Sequence, residues 1–228
     1  MTEANALAAG LSRRKFVSGA ASLAGLAATG CVATPETAEV VVPAAPSPYA
    51  LMYGPMPNEQ FPLPAVDIND VPDRYLRRQV DYPTTENVGT VIVDTRNFYL
   101  YLVQENGKAM RYGVGLGREG FEWSGRARIA WKRAWPTWTP PAEMIARQPE
   151  LAPYSAENGG MEPGLENPLG ARALYIFQGN RDTLYRLHGT SEVWSIGKAV
   201  SSGCVRLLNQ DIIDLYNRVP NGTPILVV

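Results

Sequence analysis

Along the chain, apolar and polar positions sort into two textures that change near Val88. Before it, apolar residues are scattered among prolines; after it, they gather into short β-rich runs. Val91-Ile92-Val93 and Phe98-Tyr99-Leu100-Tyr101-Leu102-Val103 carry the β-branched and aromatic residues that suit a pleated, half-buried surface. Asn106-Gly107 is a hairpin-type turn, and Ala109 to Val114 returns as a strand. Arg126 to Trp131, Leu174 to Phe177, Leu184 to Leu187 and Ile225 to Val228 read as further strands, with Gly179-Asn180 turning between two of them. One helix is predicted, from Gln210 to Val219. Ile212, Leu215, Tyr216 and Val219 share a face at helical spacing, Asn209 is placed to cap the start, and Asn221-Gly222 ends it. The pattern predicts a single, mainly β domain over 88–228.

Two stretches lack periodicity. In 34–87, Pro43, Pro46, Pro48, Pro55, Pro57, Pro62 and Pro64 forbid sustained helix or central strand. Its first part, to about Ala45, reads as a tether. The remainder carries Tyr49, Met52, Tyr53, Phe61 and Val66 and is expected to lie across the domain as an extended arm, with one or two helical turns between Pro72 and Gln79. Residues 139–171 are rich in proline and glycine. A stretch this long inside a compact domain is often functional, commonly a lid. A disordered insertion is the alternative, against which Met144, Ile145, Met161 and Leu165 offer packing.

The first 33 residues read as an address. Ser12-Arg13-Arg14-Lys15-Phe16-Val17 followed by an Ala/Gly/Ser-rich apolar stretch is a signal-peptide pattern, and the arginine pair resembles a twin-arginine export signal to the periplasm. Ala28-Thr29-Gly30-Cys31 is a degenerate lipobox. Cleavage there would leave a lipid anchor on Cys31; cleavage after Ala33, which the alanine at 28 favours, would leave a soluble product.

Composition narrows the function. Basic (21) and acidic (22) residues nearly cancel, giving net charge −1. Removal of residues 1–33 would make it −3. Nucleic-acid binding by bulk charge is excluded. No apolar run reaches the roughly 18 residues of a transmembrane helix. His188 is the only histidine, and Cys31 and Cys204 are the only cysteines, so neither a Cys/His zinc site nor a multi-disulfide framework can be built.

The residues dense in chemistry are His188-Gly189-Thr190 and Ser201-Ser202-Gly203-Cys204-Val205-Arg206. A thiol is mostly protonated at neutral pH, and an imidazole that takes its proton makes it a nucleophile toward carbonyls. Backbone N–H groups of the glycine-containing turn before Cys204 could form an oxyanion hole. On the residues alone, a structural histidine with an inert thiol stands equally well.

His-Gly-Thr followed after a gap by Ser-x-Gly-Cys-x-Arg resembles the signature of the L,D-transpeptidase catalytic domain of YkuD type, also called ErfK/YbiS/YcfS/YnhG-like. Cys204 follows His188 by 16 positions, which fits. Gly89-Thr90-Val91-Ile92-Val93-Asp94 resembles the family's opening strand, and the segment from Trp135-Pro136 to Ile145 its Trp-Pro segment before the flap. Gly164-Leu165-Glu166-Asn167-Pro168-Leu169-Gly170 resembles a family turn, and Ser195-Ile196-Gly197 the spacer between His and Cys. The resemblance covers essentially 88–228. It implies a β-sandwich or barrel-like domain with one helix towards the C terminus and a long flap loop. It implies a cofactor-free, metal-free enzyme acting on peptidoglycan stem peptides: Cys204 attacks the third residue of a tetrapeptide, D-Ala leaves, and an amine resolves the acyl-enzyme with His188 moving the protons. A second stem, an outer-membrane lipoprotein, water or a free D-amino acid could each be the acceptor.

Two departures matter. Ser202 stands where many members have a second histidine, which leaves proton transfer to His188. Phe121-Glu122-Trp123-Ser124-Gly125 replaces a Thr-Pro-x-Gly turn. Gly203, Ser201, Ser202 and Gly189 are oxyanion-hole or substrate-binding candidates. Arg206 either recognises a donor carboxylate or braces the catalytic loop, and Trp194 is expected in the groove wall. Trp123, Trp131, Trp135 and Trp138 fit strand packing more readily than a glycan platform. Among rivals, a sortase spreads its His, Cys and Arg widely, a papain-like peptidase puts Cys before His, and a non-catalytic peptidoglycan-binding module has no need of His188, Cys204 and Arg206 together.

Overall fold

A computed structural model describes residues 47–117, 124–201 and 203–228. Arg13, Arg14, Cys31, Trp123 and Ser202 lie outside them. The described part is mainly β, as expected. Its strands are β1 (Arg78–Asp81), β2 (Val91–Asp94), β3 (Tyr99–Gln104), β4 (Lys108–Gly113), β5 (Leu116–Gly117), β6 (Gly125–Ala134), β7 (Arg172–Gln178), β8 (Arg181–Thr190), β9 (Ala199–Ser201), β10 (Val205–Leu208) and β11 (Thr223–Val227). Helices are α1 (Pro48–Met52), α2 (Ala142–Arg147) and α3 (Asn209–Arg218). No helix among the described residues is long and apolar enough to cross a membrane.

Nine strands form one sheet in the order β1-β4-β3-β2-β11-β6-β7-β8-β10, while β5 and β9 pair in parallel. Pairing is antiparallel except β2 with β11 and β8 with β10. Past β4 the chain reaches the far edge of the sheet. Gly115 and Arg206 exchange two backbone hydrogen bonds, 2.9 and 2.8 Å, so the sheet curls towards closure. The enclosed core gathers Val91, Val93, Leu100, Tyr112, Ile129, Leu174, Ile176, Leu187, Val205 and Leu207 from the sheet, with Ile212 and Leu215 from α3.

The arm is more structured than the prolines suggest. Ser47 caps α1 by accepting from the Ala50 N–H, and Tyr53, Val71, Tyr75 and Leu76 are buried together with Ile196 and Leu208. The region from Pro72 to Gln79 holds one helical turn, Asp73–Tyr75, and then the start of edge strand β1, which pairs with β4. Arg77 joins the arm to α3 through Asp211 at 3.6 Å and Asp214 at 3.0 Å, and the Tyr53 hydroxyl donates to Asp211.

Two expectations need correcting. Asn209 does not cap the helix. It is the first helical residue, and its Oδ1 accepts instead from the buried Ala171 N–H at 2.9 Å. The stretch 139–171 is not structureless: α2 is followed by helical turns at Pro149–Tyr154 and Ala156–Asn158, each too short to carry a readable period. The buried Asn167 amide ties its end, donating to the carbonyls of Pro136, Met161 and Glu162.

Candidate active site

A parallel strand pair carries His188 on β8 and follows directly from Cys204 into β10. In the β8–β10 register, Val205 lies opposite Leu187 and Arg206 opposite His188. Residues opposite one another share a face of the sheet, so Arg206 and His188 are neighbours, and Cys204 enters two positions ahead of Arg206. Gly203, just before it, has φ +123°, a backbone conformation suited to glycine. A Cβ at Gly117 of β5 would come within 2.7 Å of the Gly203 backbone, so the two chains meet as glycine against glycine. Ser201 ends β9 opposite Gly117.

His188 is 4% exposed. Its Nδ1 lies 2.8 Å from the Gly189 carbonyl oxygen. A carbonyl only accepts, so Nδ1 carries the proton and Nε2 is left with its lone pair as the basic atom. Burial pulls the imidazole down to about 4; the Gly189 bond opposes this, and the Arg206 charge adds to it. At neutral pH the ring is therefore an uncharged base. Burial pushes the Cys204 thiol up, while the Arg186 backbone N–H and the Arg186 and Arg206 charges favour its thiolate. Both groups are thus uncharged at rest, and the two arginines favour a thiolate at Cys204 if one forms. The Cys204 Sγ lies 4.0 Å from the Leu184 carbonyl oxygen.

The candidate residues fall in different places. Gly189 is buried beside His188, its N–H on the Leu169 carbonyl at 3.1 Å, which joins the end of the 139–171 stretch to the histidine. Arg206 pairs with Glu192, so the bracing role has a partner in this structure. Trp194 is 54% exposed, with the Lys198 Nζ 5.6 Å over its ring. The described tryptophans pack rather than form one platform. Trp135 is buried edge-on to Phe61 and donates to Glu59; Trp131 stacks on Tyr175 at 3.4 Å; Trp138 bridges to Met161.

Three residues escaped the sequence reading. Arg186, opposite Tyr175, is held bidentately by Asp182 at 2.7 and 2.8 Å and reaches Cys204 electrostatically. Its four-residue spacing from Asp182 was a visible signal. Glu192 gave none. Leu184, read as opening an apolar strand, does lie in β8 but is 72% exposed with φ +64°, near the register shift between β7 and β8.

The sequence matches the YkuD family, the L,D-transpeptidase catalytic domain, over residues 89–227. The chain belongs to this family. It is 35% identical over 151 residues to "Probable L,D-transpeptidase YbiS" of Escherichia coli (strain K12), covering 64% of this chain and 46% of that protein. It is 33% identical over 156 residues to "Probable L,D-transpeptidase YcfS" of the same strain, covering 64% and 45%. The chain thus spans about half the length of these curated relatives. A solved Brucella melitensis structure described as a probable carnitine operon oxidoreductase is 40% identical, aligned over 71% of this chain and 99% of that one with TM-score 0.47. An Enterococcus faecium L,D-transpeptidase C442S mutant is 15% identical over 62% and 50%, with TM-score 0.44. The membership rests on the sequence match.

Proposed function

We propose that this YkuD-family chain is an exported peptidoglycan L,D-transpeptidase that works through a Cys204 thioester. The supporting observation is the His188–Gly189 contact: it fixes the proton on Nδ1 and leaves Nε2 as the base on the face that Arg206 and the approach to Cys204 share. The Cys204 sulfur attacks the carbonyl of the third residue of a tetrapeptide stem as His188 Nε2 takes the thiol proton. The tetrahedral intermediate collapses, and the terminal D-Ala leaves as an amine with that proton. An acceptor amine then attacks the thioester, giving a proton to Nε2, which returns it to sulfur as the new amide forms. Backbone N–H groups at Gly203 and Cys204 would hold the oxyanion in both halves. The product is a 3→3 crosslink or an anchored lipoprotein, according to which amine arrives.

The test is intact-protein mass spectrometry of the chain incubated with a tetrapeptide stem. Wild type is expected to gain the mass of the stem less D-Ala. Cys204→Ala, with the fold kept, gains nothing and forms no crosslink. Turnover by the alanine variant would refute the mechanism.

A further inference from the structure

β8 is irregular where it passes Cys204. Tyr175 of β7 lies opposite Arg186 and Phe177 opposite Asp182, so β8 uses four residues where β7 uses two. The excess is a bulge, a device that re-aims groups beside active sites. Four residues of regular strand cover about 13 Å, yet the Asp182 carboxylate closes on the Arg186 guanidinium with two bonds, 2.7 and 2.8 Å. The same carboxylate accepts from the Leu184 N–H at 2.9 Å. The Thr183 hydroxyl donates to the Ile176 carbonyl at 2.6 Å and accepts from the Tyr185 N–H at 3.2 Å. Between these ties Leu184 has φ +64°, a conformation that penalises a side chain, and that side chain is 72% exposed, so it gains no core packing in return.

The bulge places main chain against the nucleophile. The Leu184 carbonyl oxygen lies 4.0 Å from Cys204 Sγ, an acceptor for the S–H of the neutral thiol. The Arg186 N–H, two residues on, favours the thiolate, as does the Arg186 charge. One short segment thus serves the sulfur in both protonation states, and Asp182 holds that segment at Leu184 and at Arg186. Backbone strain maintained beside a reacting group is a mark of pre-organisation.

We propose that Asp182 is a positioning residue of the reaction: by clasping Leu184 and Arg186 it sets the bulge that presents a carbonyl acceptor and an N–H donor to Cys204. The proposal rests on Cys204 being the nucleophile of the reading above and adds what aligns it. The sign of the effect separates position from simple electrostatics. A carboxylate near a thiol opposes the thiolate, so deleting Asp182 with everything else in place would free the Arg186 charge and favour the thiolate. If Asp182 acts by position, its loss lets Leu184 relax, carries Arg186 away from the sulfur and disfavours the thiolate. The other titratable and charged groups around the sulfur are His188 of β8, Arg206 of β10 with its partner Glu192, and Tyr185, whose ring approaches Gly203. They are the same in every chain compared.

The experiment follows alkylation of Cys204 by iodoacetamide, in which the thiolate sulfur displaces iodide, against pH in the full chain. Mass spectrometry of the Cys204 peptide keeps Cys31 out of the measurement. In Asp182→Ala the midpoint of the pH profile is expected to rise by about one unit and the rate at neutral pH to fall about tenfold, the effect of losing one hydrogen bond to a charged group. Leu184→Val puts a β-branched residue where φ is positive and should move the midpoint the same way with the carboxylate intact. This second variant carries the test alone if Asp182→Ala does not fold, since the Leu184 side chain is exposed. A midpoint that stays or falls in either folded variant would overturn the proposal, whatever happens to stability. Alkylation needs no stem peptide, so that failure is distinct from failure of the stem-peptide reading, which the tetrapeptide incubation decides.

Discussion

A methyl group added at Gly189 tests whether the carbonyl beside His188 is as tightly placed as the geometry requires. The new Cβ of Gly189→Ala would lie 2.2 Å from Asn209 Oδ1, 3.0 Å from Ile212 Cγ2 and 3.1 Å from Ala171 N. The first distance is impossible, and Asn209 cannot simply swing aside, because that oxygen is the partner of the buried Ala171 N–H. If it does swing, a buried donor is left unsatisfied at about 1–3 kcal/mol. If instead β8 moves, the overpacked core costs about 1–3 kcal/mol, and the Gly189 carbonyl carries the imidazole with it. Either response is a large part of the roughly 5–15 kcal/mol that holds a domain folded. The second also displaces the base, and a shift near 1 Å can lower the rate about 100-fold. Urea titration gives the stability, and the acylation rate of Cys204 by a carbapenem, measured well below the unfolding transition, gives the alignment. The double variant Gly189→Ala/Asn209→Ala should be less destabilised than the sum of the single changes, because the clash and its partner leave together. An unchanged urea midpoint with an unchanged rate, or strict additivity in the double variant, would refute the reasoning.

Other expectations follow from the same geometry. His188→Ala should slow Cys204 acylation by about 10²–10⁴; in wild type the base should stay active down to near pH 4, where the buried ring takes its proton, so a rate that already halves at pH 6.5 would contradict the buried, neutral imidazole. Because that folded value lies below the ordinary 6.5, the unfolded chain binds the extra proton between the two, and His188 contributes up to about 3 kcal/mol of stability that is lost as pH falls through this window. Burial, opposed by Arg77, raises Asp211 to about 7 from 3.8; the folded chain keeps a proton there that the unfolded chain has released, so its contribution runs the other way, and Asp211→Asn should steepen the rise of urea midpoint between pH 4 and 6.5, an unchanged slope counting against the assignment. Arg13→Lys with Arg14→Lys should leave the precursor inside the cell, as fractionation and blotting would reveal; normal export would point to the general secretory route.

The strands legible in the sequence are those whose residues state a preference. β2, β3, β7 and β11 carry runs of Val, Ile, Leu and Tyr that suit a buried sheet whatever surrounds them. β1 is Arg-Gln-Val-Asp, with one apolar residue in four. It is a strand because β4 offers an open edge, and that information lies about thirty residues away. β5, β9 and β10 span two to four residues and exist because the curled sheet brings them together. Asn209 shows the same limit from the other side. A helix-capping residue stood where one is expected, but the buried Ala171 N–H claimed its oxygen. The motif was legible in the sequence, and its spacing from His188 to Cys204 spans the connection between the parallel strands β8 and β10. Arg186 and Glu192 belong to that site only through cross-strand neighbours and a turn.

The electrostatics of the site argue for recognition at short range. The chain's net charge is −1, so its overall field does not draw in an anionic polymer. The two arginines whose charges act on the thiol are each already half of an ion pair, Arg186 with Asp182 and Arg206 with Glu192. Their charges are thus largely cancelled at a distance, yet each still acts on Cys204 from close by. A thiolate formed during attack meets these cations, whereas an anion in bulk solvent meets two near-neutral pairs. Burial reinforces this, since it favours the uncharged forms of both His188 and Cys204. On the proposed mechanism the charge to be stabilised appears only along the reaction, where stabilisation lowers the barrier rather than tightening the ground state.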